Sequence, residues 1–236
     1  MSETLAVLPG WGLGPSAVAP LVQALGTARP QASVMVAPLP NGSDLDTALS
    51  VLDRSVPQGA WLLGWSLGGM LAVALAARRG TACPGVITFA SNASFLAREG
   101  WPAAMALETY TAFAGQCEAD PTGTLKRFGL LCVQGSQAGR GLIKPLLADT
   151  RHATAEGLAL LAALDNRTAL AALALPQLHV FATRDALVPV GAAVALAQLA
   201  PHARVTEREG SHAFALESPH ALAAMAAAFI EEATHG

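Results

Sequence analysis

The stretch Trp61-Leu62-Leu63-Gly64-Trp65-Ser66-Leu67-Gly68-Gly69-Met70 reads as a short apolar strand, a sharp turn and the start of a helix. At its centre lies Gly64-Trp65-Ser66-Leu67-Gly68, a G-x-S-x-G. A serine on a strained strand-to-helix turn needs small neighbours two residues to either side, since any side chain there collides with the turn. Both are glycine. Ala60–Leu63 is apolar, and Leu67, Met70, Leu71, Ala74, Leu75 and Arg78 recur at helical spacing until Arg79-Gly80 ends the helix with a cation and a glycine. The helix N-terminus adds partial positive charge beside Ser66, and the N–H of Leu67 points where an oxyanion would form. The alternative reading is a glycine-rich turn with a capping serine.

Working outward, Thr4–Leu8 is a compact apolar strand that runs into the irregular loop Pro9-Gly10-Trp11-Gly12-Leu13-Gly14-Pro15. Ser16–Leu25 is predicted helical, Ser33–Ala37 a second strand, and Ser43 or Asp44 caps a helix through Leu52. Gly85–Ala90 is another buried strand. This alternation predicts an α/β fold, a mostly parallel central sheet with helices on both faces. From Pro102 to Leu173 the strand-like runs vanish and helical segments recur near 103–114, 122–133, 142–150, 154–164 and 168–173. They read as an inserted helical lid. Strands return at Gln177–Ala182 and Ala203–Glu207, with helices over Pro189–Leu199 and Pro219–Ala233. The expected organisation is therefore a core over 1–101 and 176–236 interrupted by a lid over 102–175.

A serine hydroxyl is a weak nucleophile, so Ser66 needs a base, and the base an orienting acid. Of the six histidines, His212 lies in the glycine-containing loop Glu209-Gly210-Ser211-His212-Ala213-Phe214, between the last strand and the last helix, from which an imidazole can reach the elbow. His179 falls in a strand, His220 in a helix, His152 in the lid, His202 at a turn and His235 in the tail; each reads as structural or surface. Asp185 lies just past the strand Leu178–Ala182 and before a proline-initiated helix, in the chain order serine, acid, histidine. The runner-up acid is Asp165, which follows helical sequence. A second oxyanion donor must come from the loop after the first strand, where Trp11 within Gly10-Trp11-Gly12 is the candidate; otherwise it is a core aromatic.

At 236 residues the chain suits one α/β domain with an insertion. No run reaches the ~18 apolar residues of a membrane span. Met1–Leu8 has no basic n-region or cleavage site, so a cytoplasmic protein is expected. Cys83, Cys117 and Cys132 are odd in number and widely spaced, which implies reduced thiols and no metal cluster. The net charge of −3 argues against general nucleic-acid affinity. Between Lys126 and Arg151, however, five cations face one carboxylate, a net +4 that leaves −7 on the rest. That segment is either a site for an anionic partner or a solvated helix face.

Taken together, these residues resemble the α/β-hydrolase superfamily over essentially the whole chain. Within it they look like the pimeloyl-[acyl-carrier protein] methyl ester esterases of biotin synthesis. The resemblance rests on Gly10-Trp11-Gly12-Leu13, on Gly64-Trp65-Ser66-Leu67-Gly68-Gly69, on Ala90-Ser91-Asn92-Ala93-Ser94-Phe95 with Trp101-Pro102, and on Asp185-Ala186-Leu187-Val188-Pro189. It implies a serine esterase that hydrolyses the methyl ester of a pimeloyl chain on acyl-carrier protein; serine chemistry of this kind needs no metal or organic cofactor, and a monomer is the default expectation. Lys126-Arg127-Phe128-Gly129-Leu130-Leu131 is similar to the family's lid segment. By that match Phe128 and Leu131 line the acyl channel, with Gly129, Leu130 and Cys132 adjoining, beside Trp11, Ser66 and Leu67. Arg127, Arg140 and Lys144 would meet the acidic carrier protein. The chain departs from the family in three ways. Pro9 stands where a histidine usually braces the oxyanion loop, the chain starts at the usual third strand, and Gly123 occupies a lid-arginine position. The rival functions are a broad small-ester carboxylesterase and a catalytically silent binding protein on the same fold.

Overall fold

The structure, a computed structural model, describes residues 3–150 and 154–235. Met1, Arg151 of the basic segment and His152 lie outside the described residues. Six strands form one sheet in the order β2-β1-β3-β4-β5-β6, and every neighbouring pair is parallel. In chain order the first half runs β1 (Thr4–Leu8), α1 (Pro15–Ala28), β2 (Ser33–Val36), α2 (Leu45–Ser55), β3 (Trp61–Trp65), α3 (Leu67–Arg79) and β4 (Val86–Phe89). Five helices follow: α4 (Leu107–Ala119), α5 (Pro121–Val133), α6 (Ile143–Leu146), α7 (Ala155–Ala163) and α8 (Arg167–Ala172). The sheet resumes with β5 (Gln177–Ala182), α9 (Gly191–Leu199) and β6 (Arg204–Arg208), and α10 (Phe214–Glu217) and α11 (Pro219–His235) close the chain.

Buried parallel strands read as continuous apolar runs because both faces are covered by helices, and β3, β4 and β5 are buried at every position. Helix α3 is buried from Leu67 to Ala76, all round, as suits a helix lying over the sheet centre. From β1 the chain proceeds to β2 on one side, then crosses back to β3 on the other. Such a reversal opens a crevice at the carboxyl ends of the strands, where open α/β sheets bind ligands. The loop after β1 and Ser66 after β3 both sit there, since Leu8 pairs with Gly64 in the β1–β3 register.

Three expectations shift. Residues 103–105 are not helical: Met105 N–H donates to Phe95 O (2.9 Å) and Ala97 N–H to Met105 O (2.8 Å), so α4 starts only at Leu107. Over 142–150 only one turn of α-helix forms, over Ile143–Leu146, preceded by a 3₁₀ turn at Gly139–Leu142. Pro145 lacks a backbone donor, and beyond it Asp149 is engaged with α1. A short helix, α10, also intervenes between β6 and α11.

All three cysteines are buried free thiols, each pushed up chiefly by burial, Cys132 well above the ordinary range. In β5 the fully buried His179 contacts Thr88 Oγ1 through Nδ1 (2.8 Å) and Gln177 Oε1 through Nε2 (3.2 Å). An amide oxygen only accepts, so Nε2 carries the proton and the Thr88 hydroxyl donates to Nδ1. Burial holds this imidazole neutral, lowering its pKa to about 3.

Candidate active site

Ser66 has φ 56° and ψ −121°, a conformation costing a residue with a side chain about 1–3 kcal/mol. The surroundings impose it. Ser66 N–H donates to Phe89 O (2.9 Å), while its carbonyl accepts from Gly69 N–H (2.9 Å) and from the Ser91 hydroxyl (2.9 Å). The flanking glycines are needed for close approach: a Cβ on Gly64 would lie 2.2 Å from Gly68 O, and one on Gly68 would lie 2.2 Å from Leu8 O. Leu67 opens α3, so its N–H has no partner within the helix and lies at the positive end of the helix dipole.

His212 and the Asp185 side chain are almost wholly buried, and Nδ1 of His212 lies 2.7 Å from Oδ2 of Asp185. Oδ1 of Asp185 accepts from the N–H groups of Leu187 (2.8 Å) and Val188 (2.9 Å). A carboxylate oxygen accepts, so in this pair Nδ1 is the nitrogen that carries the proton. The lone pair then sits on Nε2, which has no hydrogen-bond partner among the described residues. Asp165 is engaged elsewhere: Arg167 and Arg98 bracket its carboxylate, and Arg167 holds it below the usual carboxylate range.

The loop after β1 touches the elbow, since a Cβ on Gly10 would lie 3.2 Å from Ser66 Cβ. Trp11 is buried, its indole N–H donating to Thr154 O (3.0 Å) and its ring edge-on to Phe128 (5.0 Å) and Phe113 (5.8 Å). Between loop and insert lies a cavity of about 60 Å³, lined by Trp11, Ser66, Phe95, Met105, Thr109, Phe113, Phe128, Leu131, Leu158, Leu161 and Leu187. Ser66 and Thr109 are its hydroxyl-bearing residues; the rest of the wall is apolar.

The residues expected to line a lid fall into separate places. Phe128 and Leu131 line the cavity. Gly129 packs against Leu147, and Leu130 on the opposite face is 47% exposed. Cys132 is buried behind the histidine loop, its carbonyl accepting from Ala213 N–H at 3.0 Å. Arg127, Arg140 and Lys144 are exposed on α5, the 3₁₀ turn and α6. Gly123 has a local reason: Asp120 caps α5 through Gly123 N–H (2.9 Å), and a Cβ there would lie 1.9 Å from Asp120 Oδ2.

Several supporting contacts were not expected. Trp65, the residue before the serine, donates its indole N–H to His212 O at 2.9 Å. Asn92 Oδ1 accepts from the Trp101 indole (3.0 Å) and Asn92 Nδ2 donates to Ala103 O (2.9 Å), fixing where the chain enters the insert. Met105, Phe113, Leu158 and Leu187 join the cavity from four different segments. No spacing in the sequence joins them.

This chain belongs to the alpha/beta hydrolase family, which it matches over residues 6–225. Its fold and relatives match known carboxylic ester hydrolases of that superfamily. More narrowly, it is 33% identical to the pimeloyl-[acyl-carrier protein] methyl ester esterase of Xanthomonas oryzae pv. oryzae, across 89% of this chain and 87% of that one. It is also 36% identical to the biotin biosynthesis bifunctional protein BioHC of Cellvibrio japonicus, over 96% of this chain but 47% of the relative. The chain thus spans about half the length of such bifunctional relatives. Among solved structures, a bromoperoxidase from Bacillus anthracis shares the fold, with a TM-score of 0.82 at 18% identity over 98% of this chain and 92% of that one. No helix among the described residues is long and apolar enough to cross a membrane.

Proposed function

We propose that this chain is a cytoplasmic serine carboxylesterase that hydrolyses the methyl ester of pimeloyl-acyl-carrier protein to the free acid and methanol. The observation that carries the chemistry is Ser66 on the wall of an apolar cavity, in a fold that buries a hydrogen-bonded His212–Asp185 pair. In the first half-reaction Ser66 Oγ attacks the ester carbonyl and its proton passes to His212 Nε2. The N–H groups of Trp11 and Leu67 bind the oxyanion, and the C–O bond to methoxide breaks as Nε2–H protonates it to methanol. Water then attacks the acyl-enzyme, gives one proton to Nε2, and collapse returns that proton to Ser66 as the acid leaves. Asp185 keeps the Nε2 lone pair available throughout.

The choice of substrate is supported by likeness to the Xanthomonas oryzae pv. oryzae esterase along nearly its full length. The exposed Arg127, Arg140 and Lys144 suit an acidic carrier, and the helical insert over 102–175 serves as the lid. A general small-ester esterase is the second reading, favoured by the narrowness of the 60 Å³ cavity.

Methanol release from pimeloyl-acyl-carrier protein methyl ester, compared with dimethyl pimelate and with Ser66→Ala, separates these readings. Preference for the carrier-bound ester, lost in Ser66→Ala, is expected; equal use of the free ester would leave only the general esterase. Changing Arg127, Arg140 and Lys144 together to glutamate should slow the carrier-bound ester about tenfold or more, and dimethyl pimelate much less.

A further inference from the structure

We propose that Asp149 is a positioning residue for the oxyanion loop, acting from the helical insert. The proposal rests on the reading of Trp11 N–H as an oxyanion donor. The loop Gly10–Gly14 contains three glycines, with Gly12 at φ 68°, so its own sequence gives it little stiffness. An oxyanion donor must be held to within about 0.5 Å of its productive place. Stiffness therefore has to come from outside the loop.

It comes from two contacts with one segment of the insert. Helix α1 begins after Gly14 with no side-chain cap of its own. Asp149 supplies the cap from afar: its Oδ2 accepts from Ser16 N–H at 3.1 Å and from the Ser16 hydroxyl. A carboxylate at that position also faces the positive end of the α1 dipole. Backbone and side chain meet closely, because a Cβ on Gly14 would lie 2.3 Å from Asp149 Cβ. On the other side of the turn, Thr154 O accepts from the Trp11 indole at 3.0 Å, and Gly157 lies under that ring, where a Cβ would come within 2.9 Å of Trp11 Cδ1. Between these anchors the loop makes its own Leu13 N–H to Gly10 O bond (3.1 Å), and Gly10 abuts Ser66. Trp11 N–H is thus set relative to the serine by the insert, with the Asp149 side chain as one anchor and the Thr154 carbonyl as the other.

Both acylation and deacylation pass through an oxyanion, so loosening this loop lowers kcat and spares binding of a small ester. The test is steady-state hydrolysis of 4-nitrophenyl butyrate by the full chain, with melting curves, for Asp149→Ala, Asp149→Asn, Ser16→Ala and Ser66→Ala. Asp149→Ala should lose about 10- to 100-fold in kcat, short of or equal to the loss of an oxyanion donor, with KM within about twofold of the parent. Asp149→Asn, whose amide oxygen still accepts from Ser16, should recover most of that loss, and Ser16→Ala should fall between. Parental kcat in a folded Asp149→Ala, or a loss seen only in KM, overturns the proposal. If Asp149→Ala does not fold, parental kcat in Ser16→Ala overturns it instead. Ser66→Ala separates the two levels: turnover retained there sinks the serine-esterase reading itself, whereas a dead Ser66→Ala beside a full-speed Asp149→Ala sinks only the role of Asp149.

Discussion

The indole N–H of Trp65 donates to the main-chain carbonyl of His212 at 2.9 Å, so the residue before Ser66 holds the loop that presents the imidazole. Trp65→Phe keeps an aromatic in the core but leaves a buried carbonyl unpaired, a cost of about 1–3 kcal/mol. It should also free the His212 loop and lower kcat about tenfold with little change in KM. Melting curves and 4-nitrophenyl butyrate kinetics check both; unchanged kcat would mean that the imidazole is held well enough without this bond.

Asp185→Asn probes the tautomer. The N–H groups of Leu187 and Val188 claim one oxygen of residue 185, so the asparagine oxygen turns to them and its NH2 faces Nδ1. Nδ1 must then accept, which moves the ring proton to Nε2 and, on the proposed mechanism, removes the base. A loss on the order of 10⁴ in kcat with an intact fold is expected, as for the same change in a Ser-His-Asp triad. Less than about a tenfold loss would argue that the His212–Asp185 bond does not set the tautomer.

Two glycine-to-alanine changes should have opposite signs. At Gly68 the new Cβ meets the backbone oxygens of Leu8 and Pro9 at 2.2 and 2.5 Å, so β1 and α3 must separate. A destabilisation of about 3 kcal/mol or more follows. At Gly115, inside α4, nothing lies within 4 Å of the new Cβ, and a gain of about 0.5–1 kcal/mol is expected from reduced freedom of the unfolded chain. Urea titration of each variant gives both values, and equal effects would contradict the packing described.

Acid stability should carry the signature of His179. Its folded pKa of about 3 lies below the ordinary 6.5, so between those values the unfolded chain holds a proton that the folded chain does not. Stability therefore rises with pH across that window and is lost as pH falls below about 6.5. In His179→Gln the slope of unfolding free energy between pH 4 and 6 should be smaller by about 1.4 kcal/mol per pH unit. Identical slopes would show that the imidazole does not stay neutral on folding.

What could be read in advance was whatever a short stretch of chain specifies by itself. The elbow turn at Ser66 was legible because strand, turn and helix are contiguous, and the place of Asp185 because it lies just past the end of β5. The rest depends on segments far apart in sequence. Ala103–Met105 has helical composition, yet hydrogen bonds to Phe95 and Ala97 hold Met105 in a bridge with Leu96. Leu130 and Leu131 are adjacent leucines, one turned to solvent and one to the cavity, and only the packing of α5 distinguishes them. Asp149 looked like one carboxylate diluting a basic segment; its link to Ser16, over a hundred positions away, leaves no local trace.

The buried cysteines give this molecule a set of internal clocks. Cys117 and Cys132 lie in α4 and α5, and Cys83 lies just after α3 at the edge of the core. With their thiols protonated and enclosed, alkylating reagents can reach them only during transient openings. Labelling of the first two therefore times excursions of the insert, and labelling of the third times those of the sheet. A native chain treated with iodoacetamide would record which part of the fold breathes first, without a single added probe.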